Sequence, residues 1–224
     1  MSNLVIFGIG RGADVATRYF RDDSPHKIVA YTVDDVYVDR QQFLDRPVIP
    51  FSRIEQEYPP QECEMFVPLG FQEMNRLRES KYSEVKAKGY SLASYISSRI
   101  LMSGAPSFGD NCFILEGSVF NYDVKVGNNV VMWSSNHVGD LSVIQDHVFI
   151  SSHVVLSGEV TIGANSFLGV NSTISNYVRV GARSYIGANT LIAHDTPPDS
   201  VYVTKATPKV EQIDSLRFLQ LIKS

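Results

Sequence analysis

Residues 126–150 read VGNNVVMWSSNHVGDLSVIQDHVFI, and within them a large apolar residue returns at every sixth place: Val126, Met132, Val138, Ile144, Ile150. The same register extends back through Phe120, Ile114 and Phe108 to Met102. It runs forward through Leu156, Ile162, Leu168, Ile174, Val180 and Ile186 to Ile192, with no insertion before residue 197. The fifth position of each hexad is small or β-branched, as at Cys112, Ser118, Val124, Val130, Ser142 and Val148. The second is often glycine: Gly109, Gly127, Gly139, Gly163, Gly169, Gly181, Gly187. Such a period predicts a β-helix, in which each hexad is a short strand plus a corner and stacked coils bury a column of apolar side chains. Three hexads close one coil, so the register supplies about five coils. First and fifth positions point inward, and the others face solvent or a neighbouring subunit.

The repeat takes less than half of the 224 residues, which predicts two domains and a tail: 1–96, 97–204 and 205–224. A net charge of −4, 44% apolar residues and scattered basic side chains argue against nucleic-acid binding. The apolar runs are too short to span a membrane, and the N-terminus lacks the basic and apolar regions of a signal peptide, so a cytoplasmic protein is expected. Cys63 and Cys112 form no metal-ligand spacing and read as free structural thiols.

Ahead of the repeat, Leu4 to Phe7 reads as a buried strand, Gly8-Ile-Gly10-Arg11-Gly12 as a glycine loop, and Ala13 to Phe20 as a helix. Ile28 to Val33 gives a second strand ending in Asp34-Asp35, and Glu64 to Pro68 a third ending near Gly70. Gln72 to Lys88 gives a further helix. This order implies a small Rossmann-like parallel sheet with ligands beyond the carboxyl ends of its strands. Glycines after the first strand let backbone N–H groups approach an anion, and acidic residues after the second can accept hydrogen bonds from a ribose or base. The same glycines also suit a plain tight turn. No complete Gly-x-Gly-x-x-Gly is present, and the segment is too short for two nucleotide-binding halves.

Within the repeat, Asn136 is an amide at an inward position where other coils place Ser, Val or Thr. It needs internal partners, either to support the corner carrying His137, Gly139 and Asp140 or simply as structure. His137, His147 and His153 fall close together in sequence, and hexapeptide proteins can share metal ligands across subunits, but one hexad between the last two puts them on different faces, so within a subunit they do not ligate one metal and a solvent-facing or interface role is expected. Asp140 and Gly158 are one coil apart, which stacks the glycine over the aspartate. A carboxylate and an exposed N–H in one cleft suit acyl transfer, as proton acceptor and oxyanion donor. An ordinary charged corner over a glycine turn has the same spacing.

Several segments together resemble a known family: the glycine-loop domain, Val33-Asp34-Asp35, Gly70-Phe-Gln-Glu-Met-Asn75-Arg76, Ala93-Ser-Tyr-Ile96, Asn136-His137-Val-Gly139, and Ser151-Ser-His153-Val-Val-Leu-Ser-Gly158. The family is that of bacterial hexapeptide-repeat sugar acyltransferases. It includes sialic acid O-acetyltransferases and N-acetyltransferases of nucleotide-linked amino sugars such as the bacillosamine and perosamine precursors. The resemblance covers essentially the whole chain. It implies a homotrimer with a left-handed parallel β-helix, acetyl-CoA as co-substrate in the groove between subunits, no metal, and the nucleotide of the sugar held by the N-terminal domain. It puts nucleotide contacts on Gly10, Arg11, Gly12, Asp34, Asp35 and Gly70, with Asn136 also on the substrate side. The oxyanion donor falls on the N–H of Gly158, which belongs to the cofactor groove as well, and acetyl-CoA contacts fall on Val170 and Ala188.

The chain departs from the family at one point: the general-base histidine falls on Asp140. Three accounts follow, in which Asp140 accepts the proton, or His137 does so with Asp140 orienting it, or the amine attacks unaided. A carboxylate with an ordinary pKa of about 3.9 is a poor base for a sugar hydroxyl, whereas an amine needs a base only as the bond forms. The expected reaction is therefore N-acetylation of a nucleotide-linked amino sugar, such as a 4-amino-4,6-dideoxyhexose, in surface-glycan biosynthesis. Sugar O-acetylation and a non-catalytic nucleotide-sugar-binding scaffold are the alternatives. Past Pro197-Pro198, Val201 to Val203 predicts a last strand, and Val210 to Ile222 a helix that covers the open end of the prism. Lys205 and Lys209 lie near where the family binds the CoA nucleotide.

Overall fold

The structure, a computed structural model, describes residues 2–209 and 213–221. Strand β1 (Asn3–Phe7) is buried from Leu4 onward, as its unbroken apolar run requires. Helix α1 (Arg11–Asp22) turns Ala13, Ala16, Thr17 and Phe20 inward, at the three- and four-residue spacing of one face. Strand β2 (Lys27–Val33) follows, then a 3₁₀ turn at Asp35–Tyr37. After it come β3 (Gln42–Phe43), β4 (Arg46–Pro50), the short α2 (Ile54–Glu57), β5 (Cys63–Phe66) and α3 (Arg76–Ala87). The sheet order is β3-β4-β2-β1-β5.

Two features of this sheet differ from expectation. β4 adds a fourth parallel strand, paired with β2 from Tyr31 opposite Val48 to Val33 opposite Pro50. β3 is antiparallel to it, so the sheet is mixed rather than wholly parallel. The hairpin turns on Leu44 and Asp45, both at positive φ (46° and 61°), the backbone of a primed two-residue turn. Leu-Asp carries none of the glycine or asparagine that marks such turns in sequence, and two prolines disguised β4. The helix expected from Gln72 is α3 and starts four residues later, at Arg76. Glu73, Met74 and Asn75 all take positive φ before it (53°, 54°, 68°), which no helix tolerates.

The hexads build a three-faced prism of parallel two-residue strands. Face I stacks Tyr95–Ile96, Phe113–Ile114, Val131–Met132, Phe149–Ile150, Phe167–Leu168, Tyr185–Ile186 and Val201–Tyr202. Face II stacks Leu101–Met102, Val119–Phe120, His137–Val138, Val155–Leu156, Thr173–Ile174 and Leu191–Ile192, and face III the five strands from Ser107–Phe108 to Arg179–Val180. The strand Tyr95–Ile96 already pairs with Phe113–Ile114, so the first rung sits at the end of the expected N-terminal segment. First-position residues from Ile114 to Ile192 form the buried column together with fifth-position valines. Fourth-position residues turn the corners at positive φ, from Asn111 (51°) through Asn129, His147 and Asn165 to Asn189 (57°).

The register closes early. Val180 pairs with Thr196 and Tyr185 with Val201, two residues short of the usual coil, so Thr196 takes a first-position place rather than the fifth-position place its count predicts. The expected last strand is present as Val201–Tyr202. Helix α4 is described over Ser215–Leu221, where Leu216, Phe218 and Leu221 are exposed rather than packed on the prism. Val210 to Gln212 and Ile222 of the expected helix lie outside the described residues. No helix among the described residues is long and apolar enough to cross a membrane.

The N-terminal domain packs on the outer side of face I. The sixth-position residues there, Tyr95, Phe113, Val131, Phe149 and Phe167, are buried in one cluster with Phe20, Tyr31 and Phe66. Phe149 stacks on Phe167 and Phe167 on Tyr185, with ring centroids 5.7 and 4.8 Å apart. Asp23, just past α1, accepts hydrogen bonds from Ser98, whose N–H lies at 2.9 Å, and from the Tyr95 hydroxyl (2.8 Å), and Ser98 foremost holds its carboxyl down at about 2.

Candidate active site

The sheet order places β2 and β4 on one side of β1 and β5 on the other, so the strand order reverses between the parallel neighbours β1 and β5. Ligands of such sheets bind at that switch point, beyond the strand ends. A cavity of about 430 Å³ lies there, lined by Arg11, Gly12, Val15 and the Pro68–Gln72 segment on one side and by Phe113, Val131, Trp133 and Phe149 of the prism on the other. The domain's strand ends and face I thus make its walls together. A second cavity of about 420 Å³ shares Val15 and Trp133 with the first and continues along α1 to Tyr19, Asp22 and Arg99.

Of the residues expected on the nucleotide side, Arg11, Gly12 and Gly70 line the first cavity. Gly10 is the extended N-cap of α1, and a Cβ there would meet nothing within 4 Å. No contact inside the chain requires a glycine at that place. Gly12 is different: a Cβ would collide with the Pro68 carbonyl, so this glycine serves close packing of α1 on the β5 loop. The acidic pair lies elsewhere. Asp34 is ion-paired with Lys81 at 2.7 Å. Asp35 accepts from the Ser52 N–H (3.1 Å) and hydroxyl (2.6 Å), which hold its carboxyl below the usual range. Both are bound within their own domain, and neither lines the cavity.

Asp140, Gly158 and Asn176 stack at the third position of successive coils along the corner between faces II and III. A Cβ on Gly158 would lie 3.8 Å from the Asp140 carbonyl oxygen and 3.6 Å from Asn176 Oδ1, ordinary contact distances, and its φ is not positive. Gly139 differs: a Cβ there would come within 2.6 Å of the Ser157 backbone. Gly158 is therefore a glycine that the prism itself does not need. Its N–H donates to Asn176 Oδ1 at 2.8 Å, while Asp140 Oδ1 accepts from the Tyr122 N–H at 3.1 Å. Third-position side chains do the same on the corner between faces III and I, where Asn128 Oδ1 accepts from Asp110 N–H and Asp146 Oδ1 from Asn128 N–H. One oxygen of Asp140 thus serves as a rung of this corner ladder.

Asn136 is buried, with its Oδ1 accepting from the Val154 N–H (2.8 Å) and its Nδ2 donating to the Trp133 carbonyl. Both ends of the amide are used inside the prism. His137 faces outward from face II, half-buried, and its ring makes no hydrogen bond or ion pair among the described residues. His147 lies on the III–I corner and His153 on the I–II corner, so the three histidines diverge. Among the described residues no cluster of His, Cys, Asp or Glu could hold a metal ion. Val170 and Ala188 lie exposed on the I–II corner, across face II from Asp140 and Gly158.

Two parts of this site escaped sequence reading. Trp133, the chain's single tryptophan, lines both cavities and is 38% exposed. Tyr95, Phe113, Phe149, Phe167 and Tyr185 recur at coil spacing on face I, and that aromatic column was the available signal that face I is covered. Arg78, fully buried at the domain junction, gave no signal at all.

No protein-family model matches the chain, and no curated protein matches it. Solved structures do match in fold. PerB, a perosamine N-acetyltransferase from Caulobacter crescentus in complex with CoA and GDP-perosamine, superposes with a TM-score of 0.78 at 23% identity, over 90% of this chain and 93% of that one. The acetyltransferase domain of PglB from Neisseria gonorrhoeae gives 0.75 at 20%, over 90% and 96%. WeeI from Acinetobacter baumannii gives 0.76 at 14%, over 91% and 97%. What is shared with each is the whole two-part architecture, a small sheet domain set against a parallel β-helix.

Proposed function

We propose that the protein is an acetyl-CoA-dependent N-acetyltransferase acting on the amine of a nucleotide-linked amino sugar. The observation that carries this reading is the cavity at the β1–β5 switch point, walled by the prism and lined by Arg11 and Gly12 at the start of α1, whose N-cap Gly10 has no contact inside the chain that requires a glycine. A structure of the same architecture holds CoA and GDP-perosamine, which supports the same ligand classes here. The phosphates would approach the α1 N-terminus, where unpaired N–H groups and the helix dipole favour an anion, with Arg11 beside them.

The remaining residues divide across face II. Asp140, Gly158 and the free His137 stand on and beside one edge, Val170 and Ala188 on the other. A site that uses both edges takes them from two copies of the chain, which supports a cyclic homotrimer. His137 is better placed than Asp140 to take the amine proton, because its ring is unengaged while Asp140 spends an oxygen on the Tyr122 N–H. As the amine nitrogen bonds to the acetyl carbon, the thioester bond to sulfur breaks, CoA leaves as thiolate, and the proton lost by nitrogen passes to His137 and on to the thiolate or solvent. A Gly158 N–H released from Asn176 would stabilise the carbonyl oxyanion.

Release of free CoA thiol, followed with a panel of nucleotide-linked amino sugars, tests the reading. Turnover of at least one 4-amino sugar nucleotide with the N-acetyl product is expected. Activity confined to unlinked or hydroxyl-only sugars overturns it.

A further inference from the structure

Arg78 has no solvent exposure, and no carboxylate pairs with it among the described residues. Burial pushes its guanidinium down from its ordinary value. A buried cation left without a counter-charge is costly unless every donor is satisfied, so its neutral partners matter. Nη1 donates to the Gly70 carbonyl (2.7 Å) and Asn75 Oδ1 (3.1 Å), Nη2 to the His147 carbonyl (2.8 Å), and Nε to the carbonyl and Oδ1 of Asn129 (3.3 and 3.2 Å). Asn75, also fully buried, donates to the Asn165 carbonyl at 2.9 Å.

Asn129, His147 and Asn165 hold the fourth position of three successive coils on the III–I corner. The inter-coil ladder uses carbonyls of the fifth, first and third positions, as in Phe113 N–H to Val130, Leu115 N–H to Met132 and Asn129 N–H to Asp110. Fourth-position carbonyls are left over, and a covered corner with orphan acceptors would be unstable. Arg78 and Asn75 fill three of them at one-coil spacing while Arg78 grips Gly70, a wall of the switch-point cavity. We infer that Arg78 is a positioning residue: it sets the Pro68–Gln72 segment against the prism and so fixes the shape of the nucleotide-sugar site. This rests on the function proposed above. Only a planar fork reaches both domains, so lysine is no substitute.

Arg78→Lys and Asn75→Gly in the full chain test it, the glycine keeping the positive φ of position 75 while deleting its side-chain bonds. Hydrogen exchange in residues 69–75 is expected to quicken ~10-fold in Arg78→Lys, with the inner strands of the prism unchanged. The KM for the nucleotide sugar should rise ~10-fold while that for acetyl-CoA stays within ~2-fold. Asn75→Gly should show the same pattern more weakly, and it decides the question if Arg78→Lys does not fold. Unchanged exchange in 69–75, or both KM values moving together, overturns the inference. A wild-type chain that turns over no nucleotide sugar defeats the proposed function alone, since the exchange comparison still judges Arg78.

Discussion

The N–H of Gly158 is not free: it donates to the side-chain oxygen of Asn176 at 2.8 Å, one coil further along the same corner. A donor aimed at a developing oxyanion must first be released from this acceptor. Because Gly158 also has room for a methyl group, the glycine and its partner can be altered separately without rebuilding the corner.

Asn176→Ala should free the donor. It is expected to raise kcat/KM by ~2- to 5-fold while costing ~1 kcal/mol of stability for the lost hydrogen bond. A drop of ~10-fold or more in steady-state assays would instead make Asn176 a substrate contact. Gly158→Ala, in contrast, should melt like the parent and lose at least ~10-fold in kcat, because its methyl group occupies the approach to the N–H.

Asp140→Asn keeps an oxygen for the Tyr122 N–H, so its fold and most of its turnover, within ~3-fold, should survive. His137→Asn removes the unengaged ring and should lower kcat by ~100-fold. The reverse ranking in paired kinetic measurements would return the proton-acceptor role to Asp140.

Trp133 is the sole indole and sits where the two cavities meet. Titration with the nucleotide-linked substrate should quench or shift its fluorescence in a saturable way, and Arg11→Ala should weaken that binding by ~10-fold if Arg11 meets the phosphates. Saturable substrate binding with an unchanged emission spectrum would place the ligand elsewhere.

His147 is set between Asn129, whose Nδ2 lies 2.9 Å from its Nδ1, and Glu79, 3.7 Å from its Nε2. Burial lowers its pKa below the ordinary value despite the acidic neighbours. The unfolded chain therefore takes up this proton first as pH falls below about 6.5, and stability declines in that direction. Denaturant melts at pH 7.5 and 5.5 should show this loss. In His147→Asn, where asparagine suits the positive φ, the loss should be smaller; an identical pH slope in both proteins would exclude His147 as its source.

The hexad register was legible because it is local: one apolar residue in six decides which side chains point inward, and Ile114 to Ile192 do so as counted. The glycine loop after β1, and a ligand site beyond the strand ends, followed from strand order in the same way, whereas Arg11, Gly12 and Gly70 were named by the family resemblance and do line the cavity. The β3–β4 hairpin did not, since Leu44 and Asp45 adopt a turn their side chains do not advertise. Helix α4 read as a cap from its apolar spacing, yet spacing gives a face and not a partner, and Leu216 of that face is exposed.

By itself, the sequence determined the prism, the domain before it and the stacking of Gly158 over Asp140, because each depends on residues at fixed separations along the chain. Only the tertiary structure decided how their polar groups are spent. Asp140 accepts from Tyr122, Gly158 donates to Asn176, Asp34 and Asp35 are held inside their own domain, and Arg78 binds two domains at once. A hydrogen bond goes to whichever acceptor the fold brings within about 3 Å, and that choice is made by the stacking of coils and the docking of domains, which periodicity does not encode.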